Sequence, residues 1–446
     1  MKKVLLASFI IVYSQLIIAQ NAITPSTALQ SYLHNGDASF AWEVKETWDA
    51  GNAKAYVLLL TSQTWRNIVW KHQLTIFVPN ENNYDGALLF ITGGSVKNGM
   101  PNWSGKDDKL HASMSQVAVK NKAIVAVLRQ TPNQPLFDDL TEDALISFTL
   151  HNFKKDGDYS WPLLFPMVKS AVRAMDAVEE FSKKELNKPV NRFVVTGASK
   201  RGWTTWLTGA NDKRAQAIAP MVIDILNMPV SLDYQIRALG GYSIQIEDYV
   251  KLGIPQTAKT ESGAAVTTMV DPYSYRKTLI MPKLIFMGTN DEYWVVDNIK
   301  NYLDSIPGKN LLHYVPNAGH DLGGGKQATE ALSAFFGTTL QGAAYPACEW
   351  TTTVSKKNVK LNIKATKDEL TDVIIWHADS PDTDFRNDKW TSSDLKISGK
   401  NKIKVTEPLP ASGFRAFYVD LKYKDINGGT YTVSTRVFMT DTKKIL

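Results

Sequence analysis

The 446-residue chain has one cysteine, Cys348, so no intrachain disulfide can form. A protein of this length without cross-links must be held together by burial, which a large domain supplies. No His-containing motif adjoins Cys348, which reads as a small buried hydrophobe. Beyond the N-terminus no apolar run is long enough to cross a bilayer, which excludes an integral membrane protein. The net charge is only +6, with Lys2 and Lys3 contributing two, and no basic stripe or nucleic-acid motif accompanies it; a nucleic-acid partner is excluded. His72, His111, His151, His313 and His377 are scattered without ligand spacing, so neither a catalytic metal nor another cofactor is expected. There is no repeat of fixed period and no low-complexity tract. Nor does the strand pattern place the paired carboxylates that a glycosidase needs.

What is present begins with an export signal. Lys2 and Lys3 precede an apolar stretch from Val4 to Ile18, and Ala19-Gln20-Asn21 offers a small residue for cleavage. Ser8, Ser14 and Gln15 interrupt the stretch, which favours a removable leader over residues 1–19 rather than a membrane anchor. The expected location is periplasmic or extracellular. Aromatics are abundant, with 12 Trp and 17 Tyr. They suit core filling, or a pocket lined for sugars or bulky acyl groups.

Residues 22–36 read as a short helical lead-in. Tyr56–Leu60 and Leu74–Val78 are β-rich runs with a turn expected over Thr61–Arg66. The rhythm then becomes strand, loop, helix: Ala87–Ile91, Ala123–Leu128, Phe193–Thr196, Ala217–Ile223, Lys283–Met287 and Leu311–Val315 are apolar runs, and a helix is expected over 162–186. Continuous apolar strands alternating with helices predict a mixed, mostly parallel sheet covered on both faces, with the site at the strand C-terminal ends. Long inserts at 95–118, 131–160 and 227–279 are expected as lids or pocket walls, the last as a cap. The catalytic domain is expected over 22–343. From 346 to 446, alternating strands with Asp, Asn, Gly and Ser turns predict a small all-β domain of sandwich type.

The chemical signal is Phe193-Val194-Val195-Thr196-Gly197-Ala198-Ser199-Lys200-Arg201-Gly202. A buried strand runs into a tight turn with Ser199 at its apex and a helix beyond, as in a nucleophile elbow. The common form has a small residue two places after the serine, where this chain has Arg201. The alternative is an ordinary strand-to-helix turn capped by Ser199. Downstream, one strand ends at Gly288 and Asp291, and the next is followed by Asn317-Ala318-Gly319-His320. The chain order Ser, Asp, His is that of an α/β-hydrolase triad: His320 takes the Ser199 proton and Asp291 holds the imidazole tautomer. Asp224 also follows a strand and stands as the alternative acid. The oxyanion donors are expected from the backbone of Lys200 and of Gly94 or Ser95. Arg201, Trp203, Tyr293 and Trp294 flank these loops as candidate substrate-binding residues, against the plainer readings of a solvated basic pair at Lys200-Arg201 and of packed aromatics.

Thr61–Trp65, Gly93–Ser95, Val195–Thr204, Ala219–Asp224, Gly288–Glu292 and Asn317–His320 resemble the PhoPQ-activated pathogenicity-related protein family over nearly the whole mature chain, most specifically around Ser199. The resemblance implies an α/β-hydrolase domain related to secreted peptidases and esterases, a C-terminal β domain and an exported protein. Its triad falls on Ser199, Asp291 and His320; its substrate is undefined. The G-x-S-x-x-G stretch is also similar to that of glucuronoyl esterases. The expected function is hydrolysis, through an acyl-enzyme, of an ester or amide in a small-molecule, peptide or glycan substrate, with an aminopeptidase-like activity on short peptides as the first expectation and a carbohydrate esterase as the second. The different-class alternative is a secreted binding or signalling protein without turnover.

Overall fold

The computed structural model describes residues 22–397 and 399–446; the leader reading over 1–19 lies outside the described residues. The apolar runs form strands close to where their composition places them. These are β1 (Ala41–Asp49), β2 (Ala53–Trp65), β3 (Ile68–Pro79), β4 (Gly86–Ile91), β5 (Ile124–Leu128), β6 (Arg192–Ala198), β7 (Ala215–Met221), β8 (Lys283–Gly288) and β9 (Asn310–Val315). They lie in the order β1-β2-β3-β5-β4-β6-β7-β8-β9. The opening strands are antiparallel and those from β5 to β9 are parallel. This is the α/β-hydrolase fold. Strands such as β5 and β8 are buried along their whole length because helices cover both faces. The 23-residue helix Leu164–Leu186 is the largest of those covers.

The turn expected over Thr61–Arg66 is displaced. β2 continues to Trp65, and the chain reverses at Arg66-Asn67, both with positive φ. Ser62 and Gln63 look like turn residues in the sequence but are fully buried. Their side chains bond to His72 Nε2 (2.9 Å) and the Pro166 carbonyl (2.7 Å), respectively. Internal partners make a polar run compatible with a core strand.

The C-terminal strands are β10 (Cys348–Val354), β11 (Asn358–Ala365), β12 (Leu370–Ser380), β13 (Thr391–Asp394), β14 (Lys402–Pro408), β15 (Phe414–Lys424), β16 (Thr430–Ser434) and β17 (Phe438–Thr440). β10, β11 and β14 make a separate three-stranded sheet. The others extend the central sheet: β16 pairs antiparallel with β9 through Leu312 and Ser434, and β15, β12 and β13 follow in order. The two layers share one apolar cluster in which Leu361 and Ile363 meet Val419 and Leu421. Cys348 is buried there, and burial pushes its thiol well above the usual range.

Candidate active site

The nucleophile candidate owes its exposure to backbone strain. Ser199 sits between β6 and the helix Lys200–Asn211 with φ +58° and ψ −124°. An L-residue adopts such a backbone only when its surroundings force it. Here the elbow is squeezed between two strands. A Cβ on Gly197 would lie 2.8 Å from the Ile91 carbonyl oxygen, and one on Gly202 would lie 2.5 Å from that of Met221. Because the close approach falls three residues after Ser199 rather than two, Arg201 is admissible in between.

Asp291 and His320 follow β8 and β9. His320 Nδ1 lies 3.0 and 2.9 Å from the two Asp291 oxygens. Asp291 is buried, and burial raises its carboxyl pKa against the pull of the His320 hydrogen bond and charge. The Asp291 carboxylate also accepts the Tyr293 N–H. The Tyr293 ring stacks on the imidazole with centroids 4.1 Å apart. Glu292 accepts the His320 backbone N–H at 3.0 Å. The imidazole is therefore fixed at Nδ1, on one ring face and along its backbone. Its Nε2 makes no hydrogen bond, to Ser199 or to any other described residue.

Asp224 is elsewhere. It is buried beside Asn298 and Tyr302 rather than against His320, and burial pushes its carboxyl up to about 7. Its carboxylate accepts the Asn298 side-chain amide and does not approach the imidazole as Asp291 does.

Lys200 and Arg201 are not a solvated pair. Lys200 Nζ bonds Asp143 at 2.7 Å. Arg201 grips Glu142 through two bonds of 2.8 and 2.7 Å and donates Nε–H to the Thr131 carbonyl. Its fork is occupied by the protein itself, so its role is to hold the 131–142 loop rather than to meet substrate as the sequence suggested. Its guanidinium lies where a Cβ on Gly93 would be, 2.6 Å away, and so it supports the loop that carries Gly94 and Ser95. Burial alone would raise the Glu142 pKa, but the Arg201 hydrogen bonds and charge prevail and hold it at about 2. A carboxylate with a depressed folded pKa stabilises the fold above its ordinary value of 4.5 and loses that contribution as pH falls toward 2. Glu142→Gln is thus expected to lower the melting temperature at pH 7 and to flatten its decline between pH 5 and 2. Thermal melts across that range test this; an unchanged acid slope would refute the pairing as a stabilising element.

The backbone N–H groups of Lys200, Gly94 and Ser95 make no hydrogen bond among the described residues, as oxyanion donors require. Ser95 Oγ accepts from Asn102. Trp203 and Trp294 are anchored through their indole N–H groups to the Val270 and Val222 carbonyls. Their rings, with Ser199, Lys200 and Tyr293, line a narrow apolar pocket of about 90 Å³. The helices Met228–Leu239 and Glu261–Val270, from the insert expected as a cap, form its outer wall. Asp271 closes the neck of that insert, accepting the N–H groups of Asn227 and Met228.

Three contributions escaped the sequence: Glu292 beneath His320, the Glu142-Asp143 pair facing Lys200-Arg201, and the segment 383–390. The adjacent acidic and basic pairs were the one available signal for the second. In the third, Asn290 Nδ2 donates to the Arg386 and Asp388 carbonyls (3.1 and 2.8 Å), and the Asn317 amide makes a reciprocal pair with the Trp390 backbone (2.8 and 3.0 Å). Both asparagines flank the loops that carry Asp291 and His320. Asn317→Ala is expected to lower kcat about 10- to 100-fold with KM little changed, since small displacements of a reacting group are costly. Steady-state kinetics check it; a change confined to KM would refute this positioning role.

The family model for PhoPQ-activated pathogenicity-related protein matches residues 29–386. The chain belongs to that family. It is 30% identical to autocrine proliferation repressor protein A of Dictyostelium discoideum over 436 residues, 89% of this chain and 86% of that protein. Among solved structures it is similar to acetyl xylan esterase 1 of a Thermoanaerobacterium species, with 17% identity, 70% of this chain and 95% of that one covered, and a TM-score of 0.49. A glucuronoyl esterase of Solibacter usitatus aligns at 12% identity over 71% of this chain and 92% of that one, with a TM-score of 0.41. Among the described residues, no helix is long and apolar enough to cross a membrane.

Proposed function

We propose that this protein is an exported serine hydrolase that cleaves an ester through an acyl-enzyme on Ser199. The observation that carries the reading is the pairing of His320 with the buried Asp291, held by three further contacts, on the same sheet edge as a serine in a strained elbow. In the proposed reaction the Ser199 oxygen attacks the ester carbonyl carbon while its proton passes to His320 Nε2. The resulting oxyanion is met by the N–H of Lys200 and by that of Gly94 or Ser95. Collapse of the intermediate breaks the bond to the alcohol, which leaves with the proton from His320. Water, activated by the same imidazole, then releases the acid and restores the serine. Asp291 keeps the Nδ1 proton in place and stabilises the imidazolium. Peptide and acetylated-sugar substrates share this chemistry.

One observation favours a second reading, a secreted binding or signalling protein: His320 Nε2 and Ser199 are not hydrogen-bonded. The related Dictyostelium protein is named as a proliferation repressor. Such bonds are often long in unliganded hydrolases and tighten with substrate. A fluorophosphonate probe separates the two readings. Labelling of the native protein at Ser199 is expected, and its absence would favour the non-catalytic protein.

A further inference from the structure

The pocket beside Ser199 carries information about what the serine acts on. Trp203, Trp294, Ile225, Leu232, Val266 and Val270 give it walls of carbon. The charged groups on the lining are Asp143 and Lys200, and they are spent on each other at 2.7 Å. Tyr249, reaching in from the cap, donates its hydroxyl proton to the other Asp143 oxygen at 2.8 Å. A charged or heavily hydroxylated group entering here would lose its water and find no free charge and, beyond Ser199 itself, only the Thr267 and Tyr293 hydroxyls as partners. An apolar group would lose nothing and bury its surface. Position tells which half of the ester enters. Ser199 and Lys200 line the pocket, whereas His320, which must hand its proton to the departing alcohol, does not.

We propose that the acyl half of the substrate is a bulky, uncharged, apolar group, such as a medium-length alkanoyl or arylalkanoyl chain, received between the elbow and the cap. This rests on the serine-hydrolase reading above and narrows it: neither an acetyl group nor a free uronate would use the pocket. The chain stays bonded to the carbonyl carbon when the Ser199 oxygen displaces the alcohol, so its burial persists through the acyl-enzyme and is felt in kcat/KM.

Hydrolysis of p-nitrophenyl acetate, butyrate, hexanoate and octanoate by the full-length protein tests this. Full burial of each methylene is worth about fourfold, equivalent to about 0.8 kcal/mol, and a rise of at least tenfold (roughly half of that burial realised) is expected from acetate to hexanoate. Filling the pocket with Val266→Trp, or independently Leu232→Trp, is expected to bring the hexanoate-to-acetate ratio toward one. The ratio does not depend on how much of each variant folds. Labelling rates with methyl and octyl fluorophosphonates supply the same comparison if turnover is slow. Acetate cleaved as fast as hexanoate, with Ser199 labelled, would overturn the acyl assignment and leave the hydrolase reading standing. No cleavage and no labelling by either probe would overturn both.

Discussion

Replacing Ser199 with alanine is expected to abolish fluorophosphonate labelling and to lower ester turnover by about 10⁴- to 10⁶-fold, with the fold intact. The loss is large because the nucleophile is irreplaceable in this geometry; what remains is catalysis from the oxyanion donors and from binding. The backbone offers a second, independent readout. At φ +58° and ψ −124° a side chain of any kind is strained, by about 1–2 kcal/mol. Ser199→Ala keeps the Cβ and hence the strain, whereas Ser199→Gly relieves it. The glycine variant is therefore expected to be the more stable of the two inactive proteins, by about 1 kcal/mol once the entropy of the more flexible unfolded chain is set against the relief. Denaturant unfolding of both variants measures this. A chain that maintains strain at one residue, where glycine would fold more easily, keeps it for what that side chain does. Retained turnover in Ser199→Ala would sink the assignment.

Much of this arrangement was legible in the sequence because parallel strands are written locally. Runs such as Ala87–Ile91 and Leu284–Met287 are apolar throughout, since both faces of β4 and β8 are covered. The elbow and the two loops after β8 and β9 then follow from chain order. What was illegible depends on pairings between distant segments. Ser62 and Gln63 read as turn residues because nothing nearby in the chain announces His72 or Pro166 as their partners. The β-rich composition of 346–446 was plain. That β16 would join the free edge of β9, and that the segment around Asp388 and Trp390 would brace the catalytic loops, is carried by a few backbone groups that leave no periodic trace. Lys200 and Arg201 are the most instructive case. As isolated residues at a helix N-terminus they read as solvated or substrate-facing, and only the helix Glu142–Asp156, packed against them, turns them into structural cations.

The choice between the two candidate acids gives the other large effect. Asp291→Asn is expected to lower kcat about 10⁴-fold, as loss of the orienting carboxylate does in triads of this type. The reason is the tautomer. The Asp291 carboxylate accepts the Nδ1 proton, which leaves the Nε2 lone pair free to take the serine's. An asparagine amide donates to Nδ1 instead, moving the ring proton to Nε2, where no base remains for the hydroxyl. The fold should not suffer. Burial already disfavours the charged form of Asp291, and a neutral amide of the same shape removes that desolvation cost. Asp224→Asn makes the comparison sharp. Asp224 is equally buried but accepts the Asn298 amide, with Tyr302 alongside, rather than meeting His320, so its replacement is expected to shift thermal stability while kcat changes far less than in Asp291→Asn. The two variants, measured for kcat and melting temperature under one set of conditions, should therefore separate along different axes. If Asp224→Asn were the one to lose turnover while Asp291→Asn kept it, the hydrogen bond to Nδ1 would not be what prepares His320 to act as a base.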